Sequence, residues 1–226
     1  MKRLLSLYQY LAPLVLAPAS FVLWQRASGG QLQVIAIAWG LPILWAYILP
    51  GLGTNVFKVW EFDVRLKLGR FRPQHGFVFG SATAMIAWLV HGAEVASGPD
   101  LLRQALVFGA VLGFVNLIYD IKAIEAGVLH VYNEPWADSL PAAAIAMDYA
   151  PWIFGGFGLV YGASLGVVQW LTHDGPLGAA GFAALFGASL ILALALPTGG
   201  FMLQSLQRYG HAGTRPIEKR TPCAKI

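Results

Sequence analysis

The chain has 226 residues, 57% of them hydrophobic and only 12% charged, against roughly a quarter charged in soluble domains. Its formal charge of +4 is small, and the basic residues collect in short connections and the tail, so a soluble enzyme is excluded and no nucleic-acid partner is expected. What remains is an all-α, polytopic integral membrane protein.

Apolar runs of the length that a hydrocarbon core requires, about 20 residues, fall at 4–24, 32–51, 77–95, 106–122, 149–171 and 179–203. They predict six transmembrane helices in one domain, 1–207, followed by a basic tail, 208–226. The first run follows Lys2 and Arg3 and contains Ala17-Pro18-Ala19, which imitates a secretory signal; we read it as a retained span. With the N-terminus inside, the cytoplasmic connections receive Lys2, Arg3, Lys58, Arg65, Lys67, Arg70, Arg72, Lys122 and the basic tail. The outer side keeps Arg26 and Arg103. By the positive-inside rule both termini are cytoplasmic, in a bacterial inner membrane or another plasma-membrane-type bilayer. The single cysteine, Cys223, allows no intrachain disulfide.

Spans one and two carry Pro13, Pro18, Pro42 and Pro50, which bend helices and open gaps between neighbours. Next comes a basic connection, 53–76. Apolar and charged residues alternate from Trp60 to Leu68 as in a strand, but Phe57, Trp60, Val64, Leu68 and Phe71 also share one helical face. For want of a strand partner, a short amphipathic helix on the cytoplasmic surface is expected. Arg65, Lys67, Arg70 and Arg72 would then grip a lipid headgroup or diphosphate. The plainer reading of these cations is a topogenic loop.

His91 and Glu94, three residues apart near the outer end of span three, are candidates for a haem or pigment ligand or a proton relay. The central stretch is 104–134. Gly109, Gly113, Asn116, Asp120, Ala123, Gly127, His130 and Glu134 recur at alternating intervals of four and three, which predicts one helical face, small and then polar, ending before Pro135. Asp120, Glu125, Glu134, Asp138 and Asp148 gather in and beside an acidic interfacial segment, 123–148. Their structural reading is ion pairing with the arginines of the basic connection. In span five Gly158, Gly162 and Gly166 make a close-packing face, for which the Gly109 and Gly113 face is the natural partner. In span six the run 197–200, Pro-Thr-Gly-Gly, is expected to interrupt the helix.

No HExxH, paired CxxC or Walker loop occurs, and five histidines do not supply a di-iron cluster, so no metal is predicted and His91 is the one candidate cofactor ligand. A single Asn-xxx-Asp is not the paired acidic motif with which membrane prenyltransferases hold a diphosphate, and no family is assigned. The expected chemistry is acid–base. Apolar surroundings disfavour a charged carboxyl, so Asp120 is the candidate acid, Asn116 orients it or a substrate, and Glu125, His130 or Asp148 completes a relay. The expected function is isomerisation, cyclisation or hydration of an isoprenoid or other lipid at the cytoplasmic leaflet. The alternatives are a non-catalytic subunit that meets other membrane subunits through the glycine faces of spans four and five, and a small transporter or channel.

Overall fold

The computed structural model describes residues 1–92 and 95–220, and these are mostly helical. The long helices are α1 (Lys2–Ala27), α2 (Leu32–Val56), α3 (His75–Val90), α4 (Gly98–Glu125), α7 (Pro151–Leu171) and α8 (Ala179–Tyr209), with α5 (Glu134–Ala137) and α6 (Ala142–Met147) as short turns between α4 and α7. Five of them, α1, α2, α4, α7 and α8, are long and apolar enough to cross a membrane. The apolar α3 has 16 residues; at about 1.5 Å per residue it is some 24 Å long, short of a core of about 30 Å.

Prolines shape α1 and α2 by widening turns. A proline ring crowds the carbonyl four residues back, and the residue just before it reaches one residue further: Ala17 N–H bonds to Ala12 O ahead of Pro18, and Leu41 N–H to Ala36 O ahead of Pro42. A carbonyl that a proline cannot serve needs another donor. The one opposite Pro42, Ala38 O, accepts the Tyr161 hydroxyl from α7. The one opposite Pro197, Ala193 O, accepts Trp45 Nε1 from α2 at 2.8 Å. With that acceptor satisfied, α8 runs unbroken through 197–200, which corrects the interruption expected there.

The glycine faces of α4 and α7 meet each other. A methyl group added at Gly158 would lie 2.6 Å from Phe108 O, and one at Gly162 would lie 2.9 Å from Gln104 O. Only glycine permits so close a backbone approach.

Two expectations about the centre of the chain are corrected. Helix α4 ends at Glu125, because Gly127 turns left-handed (φ +65°) and Val128 N–H and Gly127 N–H cap Ala123 O and Ile124 O. The stripe therefore stops at Ala123; His130 lies on a strand and Glu134 opens α5. The strand, β2 (Leu129–Val131), pairs antiparallel with β1 (Trp60–Phe62), so the basic connection forms a strand where a surface helix was expected. Its partner exists, 67 residues away by the register Phe62 opposite Leu129. One face of the ribbon carries Trp60, Phe62, Leu129 and Val131, and the other Glu61 and His130.

The tail folds back after Gly210, whose left-handed turn ends α8. Ile217 N–H bonds to Tyr132 O at 2.9 Å and Arg220 N–H to Ala137 O at 3.1 Å. Arg220 pairs with Glu134 and Asp138, His211 Nε2 lies 2.8 Å from Glu134 Oε1, and Lys219 sits over the Trp136 ring. The pairing expected between these acids and the basic connection is made instead by the tail.

Candidate functional site

At the charged end the helices diverge around a cavity of about 140 Å³. Its wall is built by Tyr8 of α1, Trp45 and Leu49 of α2, His75 and Phe79 of α3, Asn116 and Asp120 of α4, and Tyr149 and Phe154 beside and within α7. The apolar face of the ribbon closes it, through Trp60, Phe62 and Leu129. By size it matches a space that accepts a benzene-sized group, so it holds a short apolar segment rather than a whole lipid chain.

Among the described residues Asp120 is the one acid in this wall, and it is 7% exposed. Helix α4 carries it in its last turns, and Tyr149, between α6 and α7, donates its hydroxyl to Asp120 Oδ2 at 2.6 Å. Burial first, and then the neighbouring Asp120, push the Tyr149 phenol well up, so it remains a donor. Asn116, one turn away from Asp120, lines the same wall and ties its amide to Leu112 O at 2.8 Å.

Arg72 lines the same cavity and is 2% exposed. Its Nε donates to His75 Nδ1 at 2.9 Å, and its guanidinium lies 4.6 Å from the centre of the Phe62 ring. A ring nitrogen that accepts carries no proton, so neutral His75 holds its proton on Nε2.

The other predicted residues are placed elsewhere. Glu125 pairs with Lys122 at 2.8 Å on the exposed end of α4. His130 points to the polar face of the ribbon, away from the cavity face that Leu129 presents. Asp148 lies behind the wall, where it accepts from Asn133 at 3.0 Å and Tyr209 at 2.9 Å. Burial pushes its carboxyl up, against those hydrogen bonds and the charge of Arg208. The relay through Glu125, His130 and Asp148 is thus not assembled. The four expected headgroup cations also divide. Lys67 and Arg70 lie 3.1 Å and 4.0 Å from Glu61, Arg65 is exposed, and Arg72 alone enters the cavity. Burial works to raise Glu61, but hydrogen bonds from Lys67 and Tyr132 and the nearby cations hold its carboxyl below the usual range.

His91 lies at the far end of α3, bonded to Trp88 O and 4.9 Å from the Trp24 ring, and Glu94 is outside the described residues. Among the described residues no three His, Cys, Asp or Glu side chains come together as metal ligands.

Tyr149 and His75 are site residues that the sequence did not single out. His75 had a signal, since an ionisable residue opening an apolar helix is a site candidate by the same rule that selected His91. Tyr149 had none beyond its place at a span boundary. Comparison with protein-family models, with curated proteins and with solved structures finds no match to this chain, so the reading of the site rests on its own geometry.

Proposed function

We propose that this chain is a membrane-embedded enzyme that performs acid–base chemistry on an isoprenoid or other lipid: isomerisation, cyclisation or hydration. The observation that carries the reading is a lone carboxyl group, Asp120, set in an apolar cavity with one phenol as its partner. In the proposed step Asp120 gives its proton to one carbon of a lipid double bond. The carboxylate left behind is held by the Tyr149 hydroxyl. The carbocation formed at the other alkene carbon resolves in one of three ways, each returning a proton to Asp120: loss of a proton from a carbon beside it shifts the double bond, attack by a second double bond of the chain closes a ring before that loss, and attack by water gives an alcohol. No oxidant or reductant is needed.

Lys58, Arg65, Lys67 and Arg70 lie on the connection at the cavity end, and Lys2 at the start of α1 joins them by pairing with Asp63 at 3.0 Å. The positive-inside rule makes this the cytoplasmic end, with both termini there and α3 completing a sixth, shorter crossing. The mutual burial of the α4 and α7 glycine faces counts against the use of those faces to bind other subunits.

The substrate need not be identified for the test. Membranes containing the protein are incubated in deuterated water and their lipids analysed by mass spectrometry. A lipid that gains carbon-bound deuterium in the presence of wild type but not of Asp120→Asn supports the reading. Lipids labelled equally with both, or with neither, sink it.

A further inference from the structure

Among the described residues Arg72 and Asp120 are the only charged side chains in the cavity wall, and they are not an ion pair. Asp120 is engaged by Tyr149, while the guanidinium of Arg72 is met by a ring face and an imidazole that has no negative charge. Every other arginine or lysine on the ribbon side that faces an acid has taken it: Lys2 holds Asp63, and Lys67 and Arg70 share Glu61. The charge of Asp120 reaches Arg72 only from beyond ion-pair distance, and a guanidinium taken from water with no anion in contact is among the costliest groups a fold can keep. A neutral imidazole and a phenyl face return only part of that cost. The fork of N–H donors that remains is suited to a carboxylate or a phosphate, which it can bind with two parallel hydrogen bonds.

The cavity supplies the rest of the ligand's outline. Apart from Arg72, Asp120 and a few hydroxyl and amide groups, its wall is aromatic and aliphatic, and its volume suits a short or branched apolar segment. We infer that the natural ligand is an anionic amphiphile, whose single carboxylate or phosphate seats on Arg72 and whose first apolar segment lies between Arg72 and Asp120. This rests on the function proposed above and names its substrate class: the acid acts on a carbon near a charged head, not in the middle of a neutral chain.

The test uses the full chain in nanodiscs of zwitterionic lipid, with tryptophan fluorescence as the readout, since Trp45 and Trp60 line the cavity. Octyl phosphate, octanoate, octanol and inorganic phosphate are titrated in turn. Octyl phosphate and octanoate should bind about ten- to a hundredfold more tightly than octanol, the range of one charge-assisted hydrogen-bonded contact. Inorganic phosphate should show no saturation. Arg72→Gln should erase the preference for the anions and leave octanol binding unchanged, and Arg72→Lys should restore part of it. Octanol binding wild type as tightly as octyl phosphate overturns the inference, as does an intact anion preference in Arg72→Gln. Inorganic phosphate saturating as readily as octyl phosphate overturns the amphiphile and leaves a free-anion site. If Arg72→Gln does not fold, the four titrations of wild type decide alone. The same titrations on Asp120→Asn separate the two proposals. An anion preference intact in both proteins, with no deuterium labelling by wild type, sinks the acid–base reading only; labelling by wild type without anion preference sinks this inference only.

Discussion

Glu134 and Asp120 are both buried carboxylates at the charged end of the molecule, 9% and 7% exposed, but they are kept in opposite ways. Glu134 is met by Arg220 on one oxygen and His211 on the other, and its neighbour Asp138 shares the same arginine. Among the described residues Asp120 has no cation within ion-pair distance, only the Tyr149 hydroxyl as a hydrogen-bond partner, with Arg72 elsewhere in the same cavity wall. A carboxylate bonded on both oxygens, by a guanidinium and an imidazole of the tail, holds that tail in place. A carboxyl group given one neutral donor and an apolar wall is free to exchange a proton with whatever enters. Burial alone does not mark a reactive acid; the number and charge of its partners do.

The contrast is most sharply tested at Asp120. Asp120→Asn keeps the shape and removes the proton chemistry, and deuterium labelling of lipid should fall by about 10²- to 10⁴-fold, the usual worth of a positioned acid–base group. A stable Asp120→Asn protein that labels lipid as wild type does would make the two carboxylates alike. Tyr149→Phe comes next. It takes the hydroxyl from Asp120 and should slow labelling by about tenfold or more, while the loss of a buried partner lowers stability by about 1–3 kcal/mol. Both are read from the same membranes, by mass spectrometry and by thermal denaturation.

On the other side of the comparison, Glu134→Gln should leave labelling unchanged and release the tail. Limited trypsin digestion would show it as faster cleavage at Lys219 and Arg220; a protected tail in that variant would mean the ion pairs do not hold it. The smallest effect is expected at Asp148, whose carboxyl burial pushes up. An acid whose folded-state value is raised binds its proton more tightly when folded, so the stability it contributes is present at low pH and is lost as pH climbs from the ordinary carboxylate range through the raised value. Thermal midpoints of wild type and Asp148→Asn, compared across the acidic range, should converge at the low end and separate in favour of Asn as pH rises through that window.

Much of the frame was legible in the sequence, because a span announces itself by apolar length and a close helix contact by glycine spacing. The meeting of Gly109 and Gly158 and the neighbourhood of Asn116 and Asp120 follow from periodicity within single helices. The ribbon was not legible for a physical reason: a strand of three residues has meaning only through its partner, and Leu129–Val131 is far away in the chain. The end of α4 was legible in principle. Gly127 stands where a left-handed cap belongs, and a stripe drawn through it carries His130 and Glu134 onto a helix that has already ended. Sequence spacing could not separate Arg72 from Arg65, Lys67 and Arg70, since which of four neighbouring cations turns inward is decided by packing of Phe62 and His75 around it.

The bonds from Tyr161 to Ala38 and from Trp45 to Ala193 have a consequence for how this sequence is able to change. Each donor answers a carbonyl that a proline on a different position has left without its helical partner. Replacing Pro42 alone would let a main-chain N–H share Ala38 O with the Tyr161 hydroxyl, since a carbonyl has two lone pairs; replacing Tyr161 alone would strand the carbonyl. Each aromatic is therefore costly to lose while its proline stays and tolerable to lose once the proline has gone. Among descendants of this chain, Tyr161 should be lost only where Pro42 has gone, and Trp45 only where Pro197 has gone.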